Sequence, residues 1–373
     1  MDTTTRGATV QVTRQALLDG VAKANRVTDS KAPQPILANV LIETTSPNRL
    51  TITATDFETA LVVSIEAQSR GRIKFTVNAK RLTQLLKKLP KDVSLTLTHD
   101  DNEHWLTISS EGIDYRLATM PVEEFPPFPI RKGQMLRVTA ELFEAMGNVL
   151  YAASTDETRR ILNGVCLVFD GDRVEVVATD GSQLALYEYR NGDGPPEPFM
   201  LTIPRKSVHI MISVFKKGGA WMVYGKDWTR FSIEGLSVYS RAIEGQFPNY
   251  KQIMPENTNG QLVVNRKDFI QALDGVAIMS SDKSRFVTFE PKNGALVLFT
   301  EDTELGSATG KVEAVSEGEH IKFGANAGYV LNALKTIGTK DVVVNIEDAL
   351  SPIVIKPSDS EDKLTMVIMP MRM

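Results

Sequence analysis

The hydrophobic and polar positions of the chain follow one arrangement three times. Amphipathic stretches with apolar residues at helical spacing alternate with short runs in which apolar and polar residues alternate, as they do in strands. In KRLTQLLKKL, for example, Leu82, Leu85, Leu86 and Leu89 would share one helix face. Turn-forming clusters such as SPNR, DGDR and PKNG separate the strands. The pattern predicts an α+β chain in which two helices of each repeat pack on antiparallel sheets.

Three sequence markers recur in the same order along the chain. The first is a strand-like run followed by an acid and a second run, as in LTITATDFETALVVSI, VEVVATDGSQLALY and the weaker ALVLFTEDTELGSATGKVEA. The second is a strand, a polar or proline break and a helix, beginning at residues 73, 199 and 320. The third occurs as GIDYRLATMPVEEFP, GLSVYSRAIEGQFP and the terminal KLTMVIMPMRM. Recurrence of this kind identifies structural repeats.

The repeats divide the chain into three predicted domains, which span residues 1–128, 129–253 and 254–373. Each domain is expected to open with a helix and to continue as strands, a second helix and further strands. The opening helices are predicted at residues 13–27, 139–154 and 265–280. The C-terminal stub MVIMPMRM is then interpreted as the final strand of the third repeat.

Composition limits the class of protein further. The 373 residues are 42% hydrophobic and 24% charged, values typical of a globular chain with several domains. No run approaches the length of a membrane span and no signal peptide is evident. The only cysteine, Cys166, lies in the apolar run GVCLVF, so we expect a buried thiol, no internal disulfide and a cytoplasmic location. The histidines are scattered and no phosphate-binding loop occurs, so we expect neither a metal nor a cofactor.

The Ala-Thr-Asp motif allows a catalytic and a structural interpretation. Asp56 or Asp180 beside a hydroxyl could serve acid–base chemistry in a hydrolase or transferase. An Asp that closes a strand also hydrogen-bonds the following turn with its own side chain. Because the acid recurs at Asp302, whereas a catalytic group is needed only once, the pattern favours turn formation and a non-catalytic protein.

The charge pattern leaves two interpretations open for the basic helices. A formal net charge of −4 argues against binding nucleic acid through bulk positive charge, although a local basic surface remains compatible with it. Lys80-Arg81 and Arg205-Lys206 occupy equivalent helices of two repeats. They are either solvated helix faces or contacts to phosphates that do not read bases.

At five places the chain resembles the bacterial DNA polymerase III beta subunit, the beta sliding clamp family. The motifs are PQPILANVLIE, RRILNG, VVATDGSQLALYEY, FPNYKQIMP and VIMPMRM, in the family's order over essentially the whole chain. The resemblance implies three domains of the DNA clamp type that form a ring as a head-to-tail homodimer around double-stranded DNA. It also implies a processivity factor that tethers replicative and translesion polymerases, the clamp loader, and mismatch repair and ligase proteins through linear peptides.

The resemblance also implies three groups of functional residues. The peptide-binding pocket would comprise Leu162, Thr179, Gly181, Ser182, Gln183, Leu184, Pro248, Gln252, Ile253, Asn326, Tyr329, Leu350, Val367, Met369, Pro370, Met371 and Arg372. DNA would be contacted by Arg26, Lys31, Lys80, Arg159, Arg160, Arg205 and Lys206. The dimer interface would include Arg81, Tyr115, Leu117, Ile278, Met279, Glu301, Asp302 and Glu304.

Several pocket positions depart from the family pattern. Ser182 and Gln183 stand where the family commonly has His-Arg, Gln252 stands near a usual basic residue, and Ser284 replaces an aromatic residue at the pocket's edge. Fewer cations and one aromatic wall less would weaken peptide binding or change its preferences. A divergent second-copy clamp with altered partners is therefore one alternative. A peptide-binding scaffold that no longer encircles DNA is another.

Overall fold

The computed structural model describes residues 8–100, 104–110, 112–127, 131–215, 218–255, 257–359 and 363–373. The described residues fold into two compact units, of which the first contains the chain up to Ala140 together with His209–Ala242, and the second contains the remainder. The helices of the described ranges, numbered in chain order, are α1 (Arg14–Ala24), α2 (Ala79–Lys88), α3 (Glu141–Val149), α4 (Arg205–Val214), α5 (Arg266–Ala277) and α6 (Ala327–Thr336).

The first unit is built on a sheet of thirteen described strands, all paired antiparallel. In chain order they are β1 (Thr9–Thr13), β2 (Asn39–Ser46), β3 (Arg49–Thr55), β4 (Thr59–Glu66), β5 (Gln68–Arg70), β6 (Lys74–Asn78), β7 (Ser94–Asp100), β8 (Trp105–Ser110), β9 (Ile113–Met120), β10 (Gln134–Val138), β15 (Ala220–Tyr224), β16 (Trp228–Ile233) and β17 (Leu236–Arg241). Their spatial order is β10-β15-β16-β17-β4-β3-β2-β6-β9-β8-β7-β1-β5. The antiparallel prediction is confirmed here.

The second unit has a sheet of twelve described strands, again antiparallel throughout. They are β11 (Gly164–Asp170), β12 (Arg173–Thr179), β13 (Gln183–Arg190), β14 (Phe199–Pro204), β18 (Gly260–Asn265), β19 (Phe286–Lys292), β20 (Ala295–Asp302), β21 (Gly306–Gly318), β22 (Phe323–Asn326), β23 (Asp341–Ile346), β24 (Ile353–Pro357) and β25 (Leu364–Ile368). Their spatial order is β14-β11-β12-β13-β25-β24-β23-β18-β21-β20-β19-β22.

Each unit contains one joint between two sequence repeats. In the first unit, β17 of the second repeat pairs antiparallel with β4 of the first repeat. In the second unit, β25 of the third repeat pairs with β13 of the second repeat in the same way. In the second and third repeats, the third sequence marker thus corresponds to the strand that joins the repeat to the one before it.

The helices pack on the sheets through the apolar faces that their spacing predicts. Leu82 and Leu86 of α2 are fully buried, and α1 contacts both α2 and the strands β3 and β4. Glycine at residue 20 allows α1 to lie close to β3, since a Cβ atom there would lie 2.7 Å from the Ile52 Cδ1 atom and the isoleucine would have to shift. Asparagine caps three helices: the side-chain oxygens of Asn78 and Asn265 accept backbone N–H groups at the starts of α2 and α5, as Asn326 does at α6.

Two sequence predictions about element boundaries are corrected by the structure. Each repeat opens with a short strand, β1, β10 or β18, and the helix follows it; α1, α3 and α5 are also shorter than predicted. The terminal stub is only partly a strand, because β25 ends at Ile368 and the last five residues lie beyond it. The opening strands were missed because apolar and polar residues alternate over only five or six residues there. A pattern this short does not distinguish a strand from the segment that leads into a helix.

Candidate functional site

The C-terminal stub is held in place by backbone hydrogen bonds on both sides of Pro370. The Met369 N–H donates to the Ser182 carbonyl at 2.8 Å, and the Met371 N–H donates to the Gly324 carbonyl at 2.8 Å. Chain termini usually fray unless something ties them down, so these bonds fix the stub. The Met369 side chain remains exposed although its backbone is fixed.

A shared hydrophobic cluster lies beside the stub. The β13–β25 ladder places Leu184 opposite Val367, and both side chains are buried. Phe247 and Tyr250 belong to the same cluster, and Ile253 packs against it. The structure therefore brings predicted pocket residues from three separate parts of the sequence together.

The Asp180 turn positions the next two predicted pocket residues. The Asp180 Oδ1 atom accepts the backbone N–H groups of Ser182 at 2.8 Å and Gln183 at 3.0 Å, and its Oδ2 atom accepts from the Gln183 side-chain amide at 2.9 Å. The Thr179 hydroxyl donates to the Gln183 carbonyl at 2.6 Å. Gly181 has φ +90°, a conformation that L side chains rarely adopt. Asp180 is thus a turn-forming residue.

The other two copies of the acid form the same kind of turn. The Asp56 Oδ1 atom accepts from the Glu58 and Thr59 backbone N–H groups at 3.1 and 2.7 Å. Asp302 Oδ1 accepts from the Glu304 and Leu305 N–H groups at 2.9 and 3.1 Å. The predicted turn role is therefore confirmed in all three repeats.

The beginning of α6 carries two further residues of the predicted pocket. Asn326 Oδ1 accepts the backbone N–H groups of Gly328 at 2.8 Å and Tyr329 at 3.4 Å. Its Nδ2 group donates to the Ser284 carbonyl at 3.0 Å. Asn326 therefore fixes both the helix start and the turn that carries Ser284, the position where the resemblance to the family predicts an aromatic residue.

The remaining predicted pocket residues differ in accessibility. Leu162, Thr179 and Gln183 are nearly closed off from solvent, and the Gln183 Oε1 atom is a buried acceptor with no hydrogen-bond partner among the described residues. The exposed members are Gly181, Pro248, Gln252, Leu350, Met369 and Arg372. Leu350 is held in its turn by an N–H bond to Asp348 at 2.7 Å. The exposed members include several apolar side chains, which suits a contact surface.

A buried carboxylate that the sequence did not identify anchors one side of this region. The side chain of Glu175 is only 5% exposed, and its carboxylate accepts a hydrogen bond from the Tyr250 hydroxyl. Lys251 Nζ lies at 2.9 Å and an Arg173 guanidinium nitrogen at 3.0 Å from the same Oε1 atom. The signal available in the sequence was the single acid inside the apolar run VEVVA.

The surroundings of Glu175 also determine the pKa values of the cluster. Burial alone would raise the pKa of Glu175, but the hydrogen bonds from Tyr250 and Lys251 and the charges of Lys251 and Arg173 together hold it below its ordinary value. The pKa of Tyr250 is raised, first by burial and then by its hydrogen bond to Glu175. The carboxylate is thus charged and the phenol neutral.

The predicted DNA-contacting cations fall into two groups. Arg26, Lys31 and Lys80 are exposed, and none of them forms an ion pair with any residue in the described ranges. Arg159 instead bonds the Asp156 carboxylate at 3.1 Å and the Asp180 carbonyl at 2.6 Å, while Arg205 donates to two carbonyls at the end of the segment after α3. Arg160 and Lys206 are exposed as well. The guanidinium groups of Arg159 and Arg205 therefore have structural roles, whether or not they also contact DNA.

The predicted interface residues lie on α2, on β9, directly after α5, and at the end of β20 and in the turn that follows it. Tyr115 and Leu117 are half-buried on β9. Ile278, directly after α5, is 74% exposed, an unusual environment for a large apolar side chain. Arg81, Glu301 and Glu304 are exposed, and Asp302 already closes its own turn. The Met279 methyl group would lie 3.3 Å from a Cβ placed on Gly306.

Three repeated α+β domains, joined through edge strands and carrying two helices each, form the architecture of a DNA clamp. Family models for the DNA polymerase III beta subunit match the chain three times in succession: the N-terminal domain over residues 8–129, the central domain over 138–249 and the C-terminal domain over 251–372. The chain therefore belongs to the DNA polymerase III beta subunit family, the beta sliding clamps.

Individual relatives agree with the family models. A beta sliding clamp from Synechococcus elongatus is 30% identical over 359 residues, which cover 94% of this chain and 95% of that protein. The DNA polymerase III subunit beta of Pseudomonas aeruginosa superposes with a TM-score of 0.93 at 25% identity, and the beta subunit of Thermotoga maritima with 0.90 at 29%. Each superposition covers 98% of this chain and 100% of the other.

The predicted function of a sliding clamp is confirmed by these comparisons. The chain is a processivity clamp, which is a non-catalytic subunit of DNA polymerase III, and the comparisons favour neither the hydrolase nor the divergent-clamp alternative. Within the described ranges, every helix is too short or too polar to cross a membrane.

Proposed function

We propose that this clamp closes into a ring as a head-to-tail homodimer, encircles double-stranded DNA without reading its sequence, and tethers partner proteins in the cytoplasm. The domains of the ring are residues 1–128, 129–253 and 254–373. The partners are replicative and translesion polymerases, the clamp loader, and mismatch repair and ligase proteins, which bind through short linear peptides. Neither a metal nor another cofactor takes part.

The ordered C-terminal stub is the observation that carries the peptide-binding proposal. Backbone bonds hold Met369 and Met371, so the cost of ordering this segment is not incurred when a peptide binds. Methionine side chains are flexible and polarizable, which allows one surface to accept several related peptides. The exposed apolar groups of Pro248 and Leu350 extend the same kind of surface.

The two internal joints support the dimer proposal and indicate its strand register. Both joints pair the strand after an Asp turn with the third-marker strand of the next repeat. The first repeat still has β9, whose residues 113–118 pair only with β8, and the third repeat has β21, whose residues 306–313 pair only with β20, as far as the described strands extend.

Equivalent positions give the expected pairs across the subunit interface. Ser240, opposite Thr59 in the first joint, corresponds to Leu117 on β9, and Thr59 corresponds to Leu305 after the Asp302 turn. Leu117 would therefore lie opposite Leu305 of the partner, and Tyr115 opposite Ser307 of the partner. Exposed Leu305 would thereby be covered, and two unpaired strand edges would be satisfied.

Weak contacts with DNA are sufficient for a closed ring, because topology prevents dissociation. Exposed Arg26, Lys31 and Lys80 offer phosphates a small number of charge contacts. Arg159, Arg160, Arg205 and Lys206 are the further candidates. Few contacts that break and reform allow sliding, whereas many would slow it.

Fluorescence anisotropy with a labelled clamp-binding peptide of the host's replicative polymerase tests the pocket. We expect binding to the intact protein, loss after deletion of Met369 to Met373, and clear weakening in Met369→Ala. Met200→Ala removes an exposed methionine elsewhere and should bind like the unmodified protein. Equal binding by the deletion variant would refute the pocket.

Analytical ultracentrifugation and retention on DNA test the ring. Leu117→Asp should convert dimers into monomers, whereas Ile233→Asp, at an exposed position of β16, should not. The dimer should remain on closed circular DNA after loading and leave it on linearisation. Retention that does not depend on closure of the DNA would contradict encirclement.

A further inference from the structure

The first unit contains a cavity beside the β4–β17 joint that is partly open to solvent and separate from the proposed peptide pocket. Its volume is about 60 Å³, several times the about 10–15 Å³ that one water molecule needs. Three aromatic side chains and two prolines dominate its lining, namely Phe57, Trp228, Tyr239, Pro126 and Pro127. A cavity with this lining suits an apolar side chain.

The rest of the lining consists of two arginines, Arg131 and Arg241, and three hydroxyl residues, and no described carboxylate lines the cavity. Arg131 is bound to Asp227 at 2.9 Å, so its charge is partly balanced. Arg241 is exposed and forms no ion pair with any described residue. The side of the cavity at Arg241 therefore complements a negative charge on whatever enters.

Phe57 lies at this cavity in a strained backbone conformation. Its φ is +74°, a region that disfavours a side chain with Cβ, and its side chain is 44% exposed. The equivalent position of the second repeat, one residue after the Asp, is Gly181. An exposed aromatic residue kept where glycine would be relaxed indicates that the side chain itself is used.

We propose that this cavity is a second docking site, which takes a short linear peptide of a partner protein with one apolar anchor residue next to an acidic residue. The anchor enters between Phe57, Trp228 and Tyr239, and the carboxylate pairs with Arg241. This site does not depend on the proposed pocket at the C-terminal stub, because none of its lining residues belongs to that pocket.

The experiment uses the full chain labelled with 5-fluorotryptophan, in which Trp228→Phe assigns the Trp228 resonance. A panel of N-acetylated hexapeptides places Leu, Met, Phe or Trp beside Asp, and a matched panel replaces Asp by Lys. We expect at least one Asp peptide to shift the Trp228 resonance in a saturable manner, with its Lys counterpart at least about tenfold weaker.

Two variants and one deletion decide the outcome. Arg241→Ala should weaken the Asp peptide about tenfold, and Phe57→Gly should abolish binding while leaving the protein at least as stable. Deletion of Met369 to Met373 should leave this binding unchanged, which separates the two sites. The proposal is overturned if no Asp peptide shifts the Trp228 resonance at millimolar concentration, or if Arg241→Ala and Phe57→Gly bind as the unmodified protein does.

Discussion

Replacement of Glu175 by glutamine should destabilise the second unit far more than a typical substitution of a charged residue. The carboxylate is 5% exposed, accepts hydrogen bonds from the buried Tyr250 hydroxyl and from Lys251, and forms an ion pair with Arg173. Glutamine keeps the volume of the side chain but removes its charge. Its amide N–H₂ group is a hydrogen-bond donor, and it would face Tyr250, Lys251 and Arg173, which are donors as well.

The expected magnitude follows from the exposure of each partner. A hydrogen bond to a charged acceptor contributes about 1.5–3 kcal/mol, which applies to the Tyr250 bond. Lys251 and Arg173 are 61% and 55% exposed and regain solvation, so each contributes about 0–1 kcal/mol. We therefore expect a loss of about 1.5–5 kcal/mol in the free energy of unfolding.

Urea denaturation followed by far-UV circular dichroism measures this loss, with Glu188→Gln as the matched control. Glu188 accepts from the same Arg173 but is 38% exposed, so its loss should cost less than about 1 kcal/mol. Because Tyr250 lies between Pro248 and Ile253, Glu175→Gln should also weaken peptide binding. If the midpoints of the two variants coincide, the carboxylate does not anchor this segment.

The difference in stability between the unmodified protein and Glu175→Gln should depend on pH, which gives an independent check. The pKa of Glu175 in the folded protein lies below its ordinary value of 4.5, so the unfolded chain takes up its proton first. The contribution of the carboxylate is therefore complete above pH 4.5 and declines as the pH falls through the lower folded value. The stability gap between the unmodified protein and Glu175→Gln should be constant near neutrality and shrink in acid. A gap that widens in acid would contradict this assignment.

Three further predictions concern single residues. Cys166 is fully buried, and burial raises the pKa of its thiol to about 12. Iodoacetamide should therefore modify it only in urea, which mass spectrometry would reveal. Modification of the native protein would disprove the burial. Asn78→Ala should cost about 1 kcal/mol in chemical denaturation, whereas Asn78→Asp, which keeps the side-chain oxygen that caps α2, should cost less. Gly181→Ala should lower the free energy of unfolding by about 1–2 kcal/mol, because the φ of residue 181 is +90° and the new Cβ would lie 3.2 Å from an Arg159 nitrogen. An unchanged midpoint of denaturation would mean that the turn relaxes freely.

The sequence predicted what depends on local pattern and repetition. The Asp turns, the apolar face of α2 and the buried Cys166 all follow from residues close together in the chain. The Glu175 cluster joins residues 75 positions apart, so no spacing rule could have identified its partners. The cavity at Phe57 was missed for the same reason, since a turn, β16 and β17 meet only in the folded unit.

The two internal joints also explain how one backbone arrangement supports different surfaces. At both joints the same hydrogen bond follows the paired strand: the Met369 N–H donates to Ser182, and the Arg241 N–H donates to Glu58, each at 2.8 Å. A lost backbone bond would leave a polar group unsatisfied in either repeat, so the joint tolerates little variation in its backbone. The exposed side chains beside it are not limited in this way, because surface substitutions cost little stability. We therefore expect the methionines at one joint to give an adaptable apolar surface, and Arg241 with the strained Phe57 at the other joint to give a cavity that selects for charge.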